Sequence, residues 1–301
     1  MSYLTTADVL KFSPNWGVDP AVGLVSNVLN AAPLIQKLAA RSIPGFTYKY
    51  TRKTADPSVG FRNANDGRTN SVATYDNITV ALEILDATFW VDVAVAEADD
   101  RGVEACLAQQ AADALEAAFF EAEKCVINGD ADGFDGFADL LGDTSEDMVV
   151  NAEGSTALSA SSVYAVRVGL NDCHLLWGQN GIIAAGDRSI VPVAGSSTGT
   201  FPSYYTPVTA WCGLQVGSAY SVGRIANLTV GKPLDDDLLA ELIAKFPAAK
   251  PPTLLVMNRR SLMQLQQSRT ATNPTGSPAP FPSESFTMRR PRTGGFLAGA
   301  E

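Results

Sequence analysis

The chain has 301 residues, 46% hydrophobic and 18% charged, which places it among foldable globular chains long enough for one large domain or two linked ones. No stretch approaches the ~20 uninterrupted apolar residues of a membrane helix, and the opening Met1-Ser2-Tyr3-Leu4-Thr5-Thr6 lacks the basic and apolar regions of a secretory signal, so no membrane partner and a cytosolic origin are expected. The net charge of −10 excludes tight, charge-driven binding of nucleic acid, which needs lysines and arginines to displace counterions.

Residues 1–45, punctuated by Pro14, Pro20, Pro33 and Pro44, predict an N-terminal arm with one short helix. From Phe46 to Lys53 rings and polar groups alternate with the period of a half-buried strand. A polar stretch from Thr54 to Tyr75 follows, longer than an ordinary connection. Alternation then returns from Asn77 to Phe89, with Ile78, Val80, Leu82 and Ile84 on one side. Two strands with a long tip predict an extended hairpin over 46–90, which cannot bury both faces on its own chain and so requires a partner surface. The strongest helix spans Asp99 to Ile127, with Asp99 or Asp100 as its cap and Val103, Leu107, Ala111, Leu115, Ala118, Phe119, Ala122 and Val126 as its apolar stripe. Asn128-Gly129 ends it. Residues 130–231 are Gly-, Ser- and Thr-rich, with β runs at 162–168, 181–185, 190–194, 214–216 and 225–230 and one helix placed near Ser159–Asn171. Leu238, Leu239, Leu242, Ile243 and Phe246 predict a helix capped by Asp235 and stopped at Pro247. The β run Thr253–Met257 leads to Asn258, the N-cap of a helix over Arg259–Arg269 with Leu262 and Leu265 inward. From Thr270 the chain is rich in Pro, Ser and Thr.

Charge is unevenly placed along this order. Lys49, Arg52, Lys53, Arg62 and Arg68 sit on the expected hairpin against only Asp56 and Asp66, whereas from Asp76 to Glu153 the only bases are Arg101 and Lys124. That asymmetry predicts one copy's basic arm lying on the acidic surface of another, with Glu104, Asp113 and Glu116 as the contact acids.

Motifs for chemistry are sparse. Gly195-Ser196-Ser197-Thr198-Gly199 matches a nucleophile elbow, but Thr200-Phe201-Pro202 is no helix and the chain's only histidine, His174, precedes Ser197, so a flexible loop explains it better. Asn128, Asp130, Asp132 and Asp139 are spaced like an EF-hand calcium loop, with Gly133 at its sixth position. The last ligand is Asp where a bidentate Glu belongs, and a solvated acidic turn is the stronger reading. Cys106, Cys125, Cys173 and Cys212 lack a CxxC pair and read as buried thiols. Arg259 and Arg260 open a helix, which its dipole disfavours, so they either meet an acidic partner or stay solvated. No enzyme activity, metal or cofactor is expected.

The segment Phe119-Phe120-Glu121-Ala122-Glu123-Lys124-Cys125-Val126-Ile127-Asn128-Gly129-Asp130, with Gly133-Phe134-Asp135-Gly136 after it, resembles the spine helix of the Hong Kong 97-type capsid fold running into its exit turn. Trp211–Ser218, Arg224–Leu228 and Leu255–Leu262 are similar to segments of one branch of these tailed-phage capsid proteins, and the resemblance spans about residues 30–286. It implies an α+β fold with an N-arm (1–45), an extended loop (46–90), a peripheral domain (91–139 and 231–301) and an axial domain (140–230). It also implies a major capsid protein whose copies form pentamers and hexamers of an icosahedral shell in the virion, assembled in the host cytoplasm. Such a shell encloses double-stranded DNA without sequence-specific binding, and its partners are scaffolding, portal or cement proteins. The loop of one subunit then lies over the peripheral domain of the next, so reversing Arg52 and Lys53 is expected to weaken assembly more than reversing Lys245 and Lys250. A departure lies at Thr287–Gly295, basic and Gly-rich where the family closes with an apolar strand. An encapsulin-like compartment shell is the alternative on the same fold, told apart by its N-terminal arm. A calcium-binding or hydrolytic protein is the alternative outside it.

Overall fold

The computed structural model describes residues 4–10, 32–69, 71–154, 160–195 and 199–268. The arm's expected helix is α1 (Thr6–Leu10), whose Val9 is buried with Val91, Ala96, Cys106 and Leu107; residues 11–31 of the arm lie outside the described residues. Turns at 33–38 bury Leu34 completely and lead to strand β1 (Ala39–Ser42). Strands β2 (Thr47–Ala55) and β3 (Thr74–Ala81) form the expected hairpin, paired from Thr47↔Ala81 to Lys53↔Tyr75 with a register shift before Ala55.

The alternation from Asn77 to Phe89 is not one strand. It divides into β3, β4 (Glu83–Asp86) and β5 (Phe89–Asp92), and the last two join separate sheets. Leu82 is locked between Ile43 and Leu176 at the hairpin root, the period slips there, and Ile84 turns outward instead of sharing the side of Leu82.

Helix α2 (Val93–Glu97) follows, capped by Asp92, whose carboxylate accepts the Ala94 N–H at 2.9 Å. Helix α3 (Val103–Asn128) is the long rod read from the sequence, about 39 Å at 1.5 Å per residue. Its start is corrected from Asp99 to Val103, because Gly102 at φ 96° resets the backbone between the two helices. Asp99 caps nothing there; it is buried and gripped by the Arg101 guanidinium, Nε at 3.1 Å and Nη2 at 2.8 Å. The apolar stripe is covered only at its two ends. Cys106 and Leu107, then Ala122 through Ile127 apart from Lys124, are buried, while Ala111, Leu115, Ala118 and Phe119 stay half-covered. The short helix α4 (Phe137–Leu140) folds back against the end of α3.

The remaining chain builds sheets. Strands β6 (Val149–Asn151), β7 (Ser161–Val166), β13 (Val222–Leu228) and β14 (Leu254–Val256) form one sheet in the order β14-β7-β13-β6. The β run read at 162–168 is β7, and the helix also placed near Ser159–Asn171 does not form among the described residues; β7 is rich in β-branched and aromatic residues and covered on both faces in mid-sheet. Strands β8 (Cys173–Trp177) and β12 (Val208–Val216) join β1 and β4, with β9 (Ala184–Ala185) also on β12; β10 (Ser189–Ala194) and β11 (Thr200–Thr206) join β5.

Helix α5 (Asp236–Ala244) is capped by Asp235, which accepts the Leu238 N–H at 2.8 Å, and lies on β13 and β6. Helix α6 (Arg259–Ser268) is capped by Asn258, which accepts the Ser261 N–H at 2.7 Å, with Leu265 buried. Ile225, Leu228, Leu234, Leu239, Leu242 and Phe137 are fully buried in one shared core, each stabilising it by about 1.5–3 kcal/mol. That core crosses the domain line expected at residue 230, since β14 hydrogen-bonds β7 and α5 packs on β13.

Candidate intersubunit surface

Among the described residues the hairpin pairs with no other strand and most of both its faces is open; it is tethered at its root. There Phe46 packs on Trp211 with ring centroids 4.4 Å apart, and the Tyr50 hydroxyl donates to the Val216 carbonyl at 2.9 Å. Its cations divide into two kinds. Lys53 pairs with Asp56, Arg62 donates to the Asp66 carbonyl at 3.1 Å, and Arg68 donates to the Gly60 carbonyl at 2.8 Å and the Ser58 hydroxyl at 3.2 Å. These three brace the loop itself. Lys49 and Arg52 make no ion pair among the described residues.

The candidate acids stand along α3. Glu104 accepts from Arg188 at 2.7 Å, Asp113 accepts from Gln109 at 2.9 Å, and Glu116 is exposed without an ion pair among the described residues. No ion pair among the described residues joins hairpin to α3 within one chain. Exposed pairs of this type contribute about 0–1 kcal/mol each.

The other candidates resolve structurally. Asp130 accepts the Asp132 N–H at 3.2 Å and Asp139 accepts the Gly136 N–H at 3.3 Å at the start of α4. Among the described residues no three carboxylates converge as a metal site, and Asn128 closes α3. Ser197 lies outside the described residues, but its flanks are β10 and β11, antiparallel neighbours bridged by Gly195 N–H to Gly199 carbonyl at 2.8 Å. A hairpin stands where an elbow needs a helix. The four cysteines are free and buried, and burial pushes the Cys173 and Cys212 thiols up to about 12. Arg259 and Arg260 are exposed, and the basic tail from residue 269 lies outside the described residues.

Two buried polar side chains escape a reading by motif. Glu123, 4% exposed, accepts the N–H groups of Leu34 at 2.7 Å and Ile35 at 3.2 Å, fastening the arm to α3. Burial raises its pKa, and the two N–H groups pull it partly back. The available signal is its position inside the stripe Phe119, Ala122, Val126. His174 is fully buried beneath the hairpin root, edge-on to Tyr48 at 6.4 Å, and neither ring nitrogen has a hydrogen-bond partner among the described residues. Burial first, then the nearby Arg41 charge, lowers its pKa. The unfolded chain therefore takes up the proton first as pH falls. This residue's contribution to stability is intact above its ordinary 6.5 and declines below it. Urea unfolding of wild type and His174→Phe at pH 7.5 and 5.5 is expected to show a larger loss on acidification in the wild type; parallel losses would refute it.

Residues 41–273 match the family described as major capsid protein GP7. No curated protein sequence matches the chain. Among solved structures, a chain from bacteriophage Epsilon15 aligns over 95% of this chain and 91% of its own, with 15% identity and a TM-score of 0.62. The capsid of bacteriophage JBD30 aligns over 82% and 89% at 13% identity and TM-score 0.47. The SrpI encapsulin complex of Synechococcus elongatus PCC 7942 aligns over 76% and 97% at 10% identity and TM-score 0.48.

Proposed function

This chain belongs to the major capsid protein GP7 family, and from that premise we propose that the hairpin is the arm by which one copy of a capsid subunit holds the next. The protein is a structural subunit of a tailed-phage capsid, with the Hong Kong 97-type fold and a place in the virion shell. In our reading its copies close into pentamers and hexamers of an icosahedral shell in the host cytoplasm, without catalytic activity. Scaffolding, portal or cement proteins complete the shell. The net charge of −10 suits a wall along which double-stranded DNA slides without sequence-specific contact. In this reading the free hairpin of β2 and β3 is the extended loop, and β4 and β5, which join other sheets, go with α3 to the peripheral part. Helix α5 and β14, expected in the peripheral domain, pack on β13 and β7 and are assigned here to the axial part.

The observation that carries this reading is the hairpin, two strands with both faces largely open. An isolated two-stranded ribbon is marginal in water, and a symmetric assembly supplies the missing surface. Lys49 and Arg52, free of ion pairs among the described residues and on opposite faces of β2, are the hairpin cations available to a neighbour's Glu104, Asp113 and Glu116. Sedimentation with negative-stain imaging of the chain expressed alone tests it: megadalton shells or capsomers support a shell protein, and a persistent monomer refutes it. Reversing Lys49 and Arg52 to Glu is expected to raise the concentration needed for assembly by about tenfold. Reversing the exposed Lys250 and Arg259 should change it little, and equal effects count against the contact.

A further inference from the structure

The hairpin root roofs a polar pair. On one face of the sheet β1-β8-β12-β4, His174 of β8 stands opposite Gln215 of β12 in the strand register, and the two are 0% and 3% exposed. Both ring nitrogens of the histidine and the Gln215 carboxamide oxygen lack a hydrogen-bond partner among the described residues. Buried polar groups are nearly always bonded, because an unbonded one gives up its contact with water for nothing in return. Such atoms on two facing side chains mark a place where the closed packing leaves polar groups unsatisfied.

The cover over this pair is thin. Tyr48 of β2 lies edge-on to the imidazole, and the Arg41 guanidinium stands 5.1 Å from the Tyr48 ring centre while donating to its hydroxyl at 2.9 Å. Ile43, Leu82 and Leu176 form the small apolar seat of the root. Two backbone bonds tie down the chain entering the hairpin, Ile43 N–H to the Trp177 carbonyl and Asn180 N–H to the Ile43 carbonyl, both at 2.8 Å.

A proton on His174 meets no counter-charge in this setting. Strand β1 brings Arg41, β2 brings Tyr48 with Tyr50 stacked behind it, and β12 brings the neutral Gln215. Burial opposes the charged ring first and the Arg41 cation next, while the Gly169 backbone favours it least strongly of the three. The charged ring needs water, and the root is the cover that stands between them. We infer that His174 is an acid-sensitive latch, whose protonation releases the hairpin root from the β8–β12 face while the core on the other face of that sheet stays closed. Linkage sets the size of the effect. If the ring titrates at its ordinary 6.5 only when the root is open, the open population rises about tenfold between pH 7.5 and 5.5. The latch belongs to the single chain, so it stands or falls apart from the shell-subunit reading.

Hydrogen exchange of the full chain at pH 7.5 and 5.5, each rate divided by the intrinsic rate at that pH, tests it. The Ile43 and Asn180 amides should exchange about tenfold faster at the lower pH. The Arg224 amide, which donates to the Met148 carbonyl at 3.0 Å in the other sheet, should not change. In His174→Phe the acceleration should vanish. Gln215→Glu serves as a second variant that keeps the histidine: its carboxylate stands opposite the ring and gives the proton a partner, so acid should no longer open the root. No acceleration in wild type, the same acceleration in both variants, or an equal acceleration at Arg224, which means general unfolding, overturns the latch.

Discussion

Replacing Glu123 by alanine is expected to destabilise the subunit by roughly 3 kcal/mol, read as a drop of about 8 °C in the thermal midpoint. The carboxylate accepts two backbone N–H groups, from Leu34 and Ile35, and Leu34 is fully buried. Alanine leaves both donors without an acceptor and opens a gap where the arm crosses α3. Part of that loss is offset, since a buried carboxylate itself carries a desolvation cost, visible in its raised pKa. Glu123→Gln separates the two effects. It keeps an acceptor oxygen and sheds the charge, so it should lie within about 1 kcal/mol of wild type. A Gln variant as unstable as the Ala variant would show that the charge, not the acceptor, holds the arm.

The sign of its pH dependence opposes that of His174. The folded pKa of Glu123 is raised above its ordinary 4.5, so its contribution to stability is fully present below that value and is lost as pH rises through the folded pKa. The depressed histidine loses its contribution as pH falls below 6.5. The two residues therefore push the stability curve in opposite directions on acidification. Each is removed from it by its own substitution.

Much of this architecture was legible where one local rule dominates. Asp235 and Asn258 stand in front of apolar faces at helical spacing, and both cap as read. The rings of β2 alternate because one edge of a half-buried ribbon repeats every two residues. Legibility fails where burial is two-sided or where the partner is remote in sequence. Cys173-His174-Leu175-Leu176-Trp177 is covered on both faces and shows no alternation, so β8 carries little signal. The break at Leu82 depends on Ile43 and Leu176, far away along the chain. The loop arginines were legible as a cluster of charge but not as braces. Their acceptors are backbone carbonyls, which every residue has and no sequence pattern marks.

The stripe on α3 joins these cases. Its period predicts a buried face from Val103 to Val126, and among the described residues only the ends are buried. An apolar period longer than the surface available within one chain signals a surface supplied by another. The same reading applies to the hairpin, where alternation is clean and, among the described residues, no second sheet covers it. Both anomalies are accounted for if other copies of the chain supply the missing surface, so assembly is written in the sequence as a mismatch between pattern and burial.

Gly136→Ala is expected to be the most damaging single methyl in the subunit's turn, costing roughly 4 kcal/mol or more and leaving little soluble chain. A Cβ at Gly136 would stand 2.2 Å from the Gly129 nitrogen, 2.5 Å from the Cys125 carbonyl oxygen and 2.9 Å from the Asn128 carbonyl carbon. All three are backbone atoms at the end of α3, so no rotamer change relieves the clash; α4 must separate from the helix. That separation withdraws Phe137, fully buried and 5.6 Å from the Tyr164 ring, and disturbs Phe134, whose carbonyl accepts from the Cys125 thiol at 3.2 Å. Here the acidic turn that resembles a calcium loop has its physical meaning. Gly129, at φ 75°, turns the chain out of the helix, and Gly136 lets it return within backbone contact distance. Gly45→Ala is the control, because a Cβ there meets nothing within 4 Å; its effect should stay within about 0.5 kcal/mol. Denaturant unfolding of both variants decides the matter. A Gly136→Ala chain as stable as Gly45→Ala would mean that α4 does not need its close approach to α3, and the exit turn would lose its structural role.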